Sequence, residues 1–399
     1  MGRNCWSVAL FSALALAGRP SLADPPAAIY PISLIDNRIF VEARVDGSGP
    51  FAFILDTGSS DITLEAPLTR RLGLKSYGAG STGGAGEKTV DYSTVHLASF
   101  TFGAIEFGPV DVPSLDNSAL ARAIGFRHFD GILGANLFRT RVVTIDTARA
   151  RLMVQDPDRY RPGKTAIAVP IDFDENDMPI IDGAVNGVSG RFAVDTGDRS
   201  SLTLFGPFWR AHALDQSIGP TVTAMTGYGV GGPIQSIVGR PGSFSIGELA
   251  VPAPVTRLSL QKSGAFARAD YAGSIGMGIL KRFIVAFDYP HHKMWLEKNT
   301  GYAAADRYDR SGAWLGLDES DHVTALSVVD GGPAGTAGLK AGDTLTAIGT
   351  IAARPETLFG IRALLMRPNA GQVEFHVVRG GVPMTLTVAL RDLIAPPTD

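Results

Sequence analysis

Two short stretches of the chain combine a carboxylate with the small and hydroxylated residues that could put it to work. Phe51-Ala52-Phe53-Ile54-Leu55-Asp56-Thr57-Gly58-Ser59-Ser60 returns as Arg191-Phe192-Ala193-Val194-Asp195-Thr196-Gly197-Asp198-Arg199-Ser200. An aspartate directly after an apolar run is costly to desolvate unless it is paired or hydrogen-bonded. The glycine two residues on permits a tight turn that aims the carboxylate into a cleft. If the two copies meet across a pseudo-twofold axis, two like charges a few Å apart cannot both ionise easily, so the pair holds one proton. One member is then a base toward a water, and the other an acid toward a carbonyl oxygen as it gains charge.

The neighbours have matching tasks. Gly58 and Gly197 bring backbone N–H groups near the carboxylates, Thr57 and Thr196 supply hydroxyls able to bond across the axis, and Ser59 can donate to Asp56 and keep it ionised. Asp198 breaks the symmetry. It either adds a third carboxylate that raises the proton affinity of the pair, or turns outward to Arg199; the adjacent charge favours the outward position.

Elements of β type must position these residues. Gly131-Ile132-Leu133-Gly134 followed by Val142 to Asp146 returns, at nearly the same distance from its aspartate, as Gly273-Ser274-Ile275-Gly276 followed by Ile284 to Asp288. Each copy closes on a hairpin, Val142 to Val154 and Ile284 to Glu297, and short Val/Ile/Phe runs between Gly, Pro, Asp and Asn read as strands. Helices are expected at Ala66 to Leu74, with Gly73 near its end, and at Pro207 to Leu214. The glycine-dense stretches Gly78 to Gly86 and Gly227 to Gly232 have the composition of hairpins that fold over a cleft; the first is read as such a flap, the second equally well as an ordinary surface loop.

The Asp-Thr-Gly-Ser after apolar residues, with the later Gly131-Ile132-Leu133-Gly134-Ala135-Asn136-Leu137-Phe138, resembles the pepsin and retropepsin superfamily of aspartic peptidases, over about residues 28 to 300. A lone Asp-Thr-Gly occurs by chance, but two copies in matching contexts are specific. The resemblance implies a mainly β, two-lobed acid-protease fold with lobes at 28–160 and 161–300. It implies Asp56 and Asp195 as catalytic residues, Thr57, Gly58, Ser59, Thr196 and Gly197 as their support, polypeptide substrates, and neither metal nor organic cofactor. A small or hydroxylated residue usually stands where Asp198 stands here.

After a linker at Asn299 to Arg310, Ser311 to Leu317, a strand at Val323 to Val329 and Gly332-Pro333-Ala334-Gly335 to Leu345 resemble a PDZ domain of the bacterial exported type, an α+β unit at 310–395. Leu358, Ile361 and Leu365 share a helix face within Thr357 to Arg367, and Val373 to Val378 forms a hairpin with Met384 to Val388. The resemblance implies that backbone N–H groups of Leu315, Gly316 and Leu317 capture a polypeptide's terminal carboxylate while the peptide adds as a strand.

The rest of the sequence bounds the setting. Arg3, an apolar stretch Val8 to Ala17 and the small residues Ser21-Leu22-Ala23 read as a signal peptide at 1–23, which places the mature chain in a bacterial periplasm or outside the cell. Cys5, the only cysteine, falls inside that segment, so disulfides, zinc-thiolate sites and cysteine catalysis are not expected. The formal net charge of -3, with no long Lys/Arg run, argues against nucleic acid as a partner. No stretch has the roughly 20 apolar residues of a stable membrane span. Gly78-Ala79-Gly80-Ser81-Thr82-Gly83 matches a dinucleotide fingerprint in letters only, and Glu87 interrupts the phosphate-loop pattern before Lys88-Thr89. The reading is an exported aspartic endopeptidase with a PDZ domain; the alternative, kept open by Asp198, is an inert cleft on a peptide-binding scaffold.

Overall fold

The computed structural model describes residues 27–396. The proposed signal segment and Cys5 lie outside the described residues.

Three sheets build the first three hundred residues. Each lobe carries a ten-stranded sheet, and a six-stranded sheet joins them. In that joining sheet Val142–Asp146 pairs antiparallel with Phe283–Asp288, Thr144 facing Ala286. Outside them lie Arg151–Gln155 and Ala28–Pro31 on one side, Lys293–Lys298 and Ile167–Pro170 on the other. The arrangement is the same read from either end, so a pseudo-twofold axis passes near Thr144 and Ala286. Both hairpins turn by the same device: the carboxylate of Asp146 accepts the Arg149 N–H and that of Asp288 the His291 N–H, before Ala150 and His292 take a left-handed conformation.

Within the lobes the strand that ends at each aspartate is central. Ser48–Leu55 runs parallel to Gly131–Leu133, with Leu55 facing Leu133. Val188–Val194 runs parallel to Gly273–Ile275, with Val194 facing Ile275. Leu55, Leu133, Val194 and Ile275 are fully buried in one core that is continuous between the lobes. Burial of each such side chain stabilises by about 1.5–3 kcal/mol, which fixes the register that sets the two aspartates. The glycines of the later motif are there because backbone comes close: a Cβ on Gly131 would lie 2.1 Å from the Thr63 carbonyl oxygen, and one on Gly273 1.9 Å from that of Thr203.

Helices are short. Ala66–Arg71 stops where Gly73 takes φ +65°, and Gly206–Ala211 is followed by a 3-10 turn, Leu214–Gln216, after left-handed Ala213. A further helix, Ser118–Ile124, ends on left-handed Gly125. The C-terminal domain has a separate core, including Leu315, Val323, Leu345, Ile361 and Phe375. It is a six-stranded sheet with helices Pro333–Thr336 and Leu358–Leu365. Among the described residues, no helix is long and apolar enough to cross a membrane.

Candidate active site

Each aspartate leaves its strand with its own N–H already spent: Asp56 N–H donates to the Leu133 carbonyl at 3.1 Å, Asp195 N–H to that of Ile275 at 3.0 Å. The chain then turns back, so that Gly58 N–H donates to Asp56 Oδ1 at 2.7 Å and Gly197 N–H to Asp195 Oδ1 at 2.8 Å. The two turns face each other. A Cβ on Gly58 would lie 3.0 Å from Cγ of Asp195, and one on Gly197 would lie 2.4 Å from Cγ of Asp56. Only glycine lets each turn pack against the opposite carboxyl group.

Thr57 and Thr196 bind the turns together. Thr57 Oγ1 donates to the Val194 carbonyl at 2.7 Å and accepts the Thr196 N–H at 3.0 Å; Thr196 Oγ1 donates to the Leu55 carbonyl at 2.9 Å and accepts the Thr57 N–H at 2.9 Å. Both side chains are fully buried, so this four-bond ring closes the polar backbone of both strand ends without water.

The carboxyl groups of Asp56 and Asp195 approach each other closely enough that a Cβ on Gly58 would lie 3.0 Å from an oxygen of each. They keep part of their surface accessible while protein encloses the rest. Burial pushes Asp56 above the usual carboxylate range, against the opposing pull of the Gly58 N–H. Asp195 is pushed well above it by burial, then by the charges of Asp56 and Asp198. Two such groups hold a single proton over a wide pH range, and the surroundings favour it on Asp195.

Two expected neighbours are arranged differently. The Ser59 hydroxyl donates to the Asp61 carbonyl at 3.0 Å rather than to Asp56. Asp198 is turned inward, not outward. Its N–H donates to Asp195 Oδ1 at 3.0 Å and its carboxylate accepts from Ser200 N and Oγ and from Arg257 at 2.7 Å. Burial opposes its charge, but Arg257 and the Ser200 bonds outweigh it and hold its pKa below the usual range. Arg199 instead reaches Asp36, at 2.8 Å. Arg257 and Asp36 are far from the motif in sequence, and nothing local to them marked them as partners.

The two glycine-dense stretches are both hairpin tips, and they meet. Ser76–Thr82 with Val90–Leu97 forms the first hairpin, Val222–Gly229 with Gly232–Gly239 the second. Gly86 N–H donates to the Val230 carbonyl at 2.9 Å and Lys88 N–H to that of Gly231 at 3.0 Å. The second tip is therefore more than an ordinary surface loop: it is joined to the first across the lobes. Glu87, which breaks the phosphate-loop pattern, accepts the Lys262 N–H at 2.7 Å.

Leu315, Gly316 and Leu317 lie on a strand, Ala313–Leu317, whose outer side is covered. A Cβ on Gly316 would lie 2.8 Å from the Ala123 carbonyl oxygen, and Trp314 Nε1 donates to that same oxygen at 3.0 Å. The end of helix Ser118–Ile124 thus packs on the face of this strand at Gly316, and Arg362 donates to the Leu315 carbonyl oxygen. Among the described residues, no group of three or more His, Cys, Asp or Glu side chains is arranged to hold a metal ion.

Residues 41–137 match the model of a family described as aspartyl protease. That span holds Asp56-Thr57-Gly58 and the later Gly131-Ile132-Leu133-Gly134. Among solved structures, an aspartic proteinase from Irpex lacteus is similar at 15% identity over 70% of this chain and 99% of that chain, with a TM-score of 0.47. No curated protein matches the chain.

Proposed function

We propose that the chain is an aspartic endopeptidase that cuts peptide bonds by a water activated between Asp56 and Asp195. The observation that carries this reading is the reciprocal packing of each carboxyl group against the other half-site's glycine, which leaves one proton for two acids. Ionised Asp56 takes a proton from the water as its oxygen attacks the carbonyl carbon, while Asp195 gives its proton to the carbonyl oxygen. When the C–N bond of the tetrahedral intermediate breaks, the amine takes the proton from Asp56, and a hydroxyl of the intermediate returns one to Asp195. The cycle ends with the dyad as it began.

The pairing of Asp198 with Arg257 supports this over an inert cleft, since the extra charge is answered locally rather than left to the dyad alone. We further infer export by the segment at 1–23 to the periplasm or beyond, and a PDZ role for the C-terminal domain in presenting or regulating polypeptides. N-terminal sequencing of the mature protein checks the first, expected to start near Asp24. Truncation after Glu297 checks the second: unchanged cleavage of long and short substrates removes a delivery role.

The enzyme reading is tested with a mixed peptide library from acid to neutral pH. Cleavage by the natural protein, reduced at least ~100-fold in both Asp56→Asn and Asp195→Asn, is expected. Identical product profiles from all three proteins would leave only binding.

A further inference from the structure

The turn between strands Ser33–Ile35 and Arg38–Val45 brings Ile35 opposite Arg38, with Asp36 and Asn37 both left-handed at φ +49° and +58°. Glycine beside Asn or Asp is the usual filling of such a turn. Here both positions carry side chains, and both are used on other parts of the molecule. Asn37 Nδ2 donates to the Arg199 carbonyl at 2.9 Å, and Lys281 Nζ donates to Asn37 Oδ1 at 2.9 Å. Asp36 meets guanidinium groups from three places: Arg38 of the adjoining strand at 3.1 Å, Arg199 of the Asp195 half-site at 2.8 Å, and Arg362 of the C-terminal helix Leu358–Leu365 at 2.9 Å. Burial opposes the charge of Asp36, but Arg199, Arg362 and Arg38 outweigh it and hold its pKa below the usual carboxylate range.

The segment Thr196 to Ser200 is therefore pinned from two sides. On the lobe-two side the Asp198 and Ser200 carbonyl oxygens accept the Met277 N–H at 2.8 Å and the Gly278 N–H at 2.9 Å. On the other side stand Asp36 and Asn37. What the segment positions is Asp195, whose Oδ1 accepts the N–H groups of Gly197 and Asp198. The matching turn of lobe one is tied across the lobes in a similar way: Arg139, which follows Gly134 as Lys281 follows Gly276, donates to the Ser60 carbonyl at 2.8 Å and to left-handed Asp177 at 2.7 Å. That tie is made by residues of the lobes, whereas the one at Asp36 includes the C-terminal domain, and the pseudo-twofold symmetry ends there. The domain also shields the pair: the Trp314 ring lies 5.5 Å from the Arg199 guanidinium and 5.2 Å from that of Arg362, and the Asp36 side chain is left only 7% exposed. An ion pair so enclosed fixes geometry, while one open to water is screened and holds little.

We propose that Asp36 is a positioning residue through which docking of the C-terminal domain holds the Asp195 half-site in order. With the domain in place, Arg362 and Trp314 enclose the Asp36–Arg199 pair, and the pair fixes Thr196 to Ser200 against the lobe-one turn. With the domain drawn off, water reaches the pair, and the segment that gives Asp195 its N–H donors loosens. A partner that takes the domain from the lobes thus lowers cleavage without touching the dyad. The effect on cleavage rests on the dyad's being catalytic; the effect on the order of the segment does not.

The test uses the full chain and reads hydrogen exchange by peptide-resolved mass spectrometry, beside kinetics on a short peptide that the natural protein cuts. In Arg362→Met, exchange at Gly197 to Ser200 is expected to rise at least about tenfold, with Gly58 to Ser60 changed less than about twofold and the buried strand at Phe375 still protected. The same variant should lower kcat roughly tenfold and leave KM within about twofold, and Arg362→Lys, which can still meet Asp36, should recover most of the loss. Asp36→Asn keeps a residue type that tolerates the left-handed turn and should show the same contrast between the two half-sites. Gly316→Ala, which acts on the docking and alters neither Asp36 nor Arg362, should reproduce it. Unchanged exchange at Gly197 to Ser200 in Arg362→Met, equal loosening of both half-sites, or a kcat that rises overturns the proposal. A poorly folded Asp36→Asn would not shelter it, since the other variants keep Asp36 in place. If the natural protein cuts no peptide, the kinetics fall with the peptidase reading, and the exchange contrast alone decides the coupling.

Discussion

Asp198 makes two contacts of opposite electrostatic sense: its N–H donates to Asp195 Oδ1 at 3.0 Å, while its carboxylate meets Arg257 at 2.7 Å. The N–H steadies the ionised form of Asp195, and the carboxylate opposes it; for Asp195 the charge is the larger effect. Asp198→Asn keeps the turn and removes the charge, so the dyad should release its proton at lower pH. The alkaline limb of the pH-rate profile is expected to move to lower pH by about one unit, read from kcat/KM against pH. Arg257 is left buried without its carboxylate, so the variant should also lose about 3–5 kcal/mol in denaturant unfolding. A profile that keeps its alkaline limb would mean that Asp198 does not act on the pair.

The ring formed by Thr57 and Thr196 predicts strong coupling between the lobes. Thr57→Val or Thr196→Val keeps the side chain's volume but strands a buried N–H and carbonyl oxygen, at a cost of about 1–3 kcal/mol in thermal unfolding. Because each hydroxyl bonds the other turn, the double variant should lose clearly less than the sum of the singles. Strict additivity would show that the two hydroxyls act independently.

Glu65 gives a pH dependence of stability that has nothing to do with the dyad. It is buried, accepts the Asn117 N–H and Nδ2–H at 2.9 Å each, and burial pushes its pKa to about 7. A carboxyl group raised in the folded state adds stability that is complete below its unfolded value and is lost as pH rises through the folded one. From pH 4.5 to above 7 the contribution should fall by about 3 kcal/mol. In Glu65→Gln, an Asn117 amide flip preserves both bonds, and that slope should vanish from unfolding curves collected between pH 5 and 8.

What could be read from sequence was what repeats. The paired Asp-Thr-Gly turns, the later glycine motifs and the closing hairpins each follow from local residue types, and the fold brings the two turns together through the register of Leu55 with Leu133 and Val194 with Ile275. Partners chosen by three-dimensional proximity were not legible. Arg199 stands next to Asp198, yet the turn sends their side chains apart, Asp198 to Arg257 and Arg199 to Asp36. The Ser59 hydroxyl likewise follows its backbone to Asp61. Helix Ser118–Ile124 is only seven residues long, and its importance lies in what its end touches in another domain.

The joined hairpin tips predict a gate on substrate entry. Gly231 has φ +93°, and a Cβ there would lie 2.0 Å from the Lys88 carbonyl oxygen. Gly231→Ala should separate the tips without reaching the dyad. For peptides cut by the protein, KM is expected to change several-fold with kcat little altered, since uniform binding is lost while the chemistry is spared. A matched fall of kcat and kcat/KM would instead place the tips in the chemical step.

Gly316 sets how closely the C-terminal domain sits on lobe one. Its Cα approaches the Arg122 and Ala123 carbonyl groups, whose helix end is also served by Trp314 Nε1 and by Arg362, which donates to the Ile124 carbonyl at 2.8 Å. Unsatisfied carbonyl groups at a helix end need such donors, so the contact is polar and specific as well as apolar, with Phe126 against Phe359 at 4.8 Å. Alanine at 316 would place its Cβ 2.8 Å from a backbone oxygen that cannot yield, and the domain should lift off while its own core stays folded. Small-angle scattering should then show a larger radius of gyration, and trypsin should cut faster after the exposed Arg307 once the segment around it is released. If the radius and the cleavage pattern stay as they are, the domain is held by contacts other than this one.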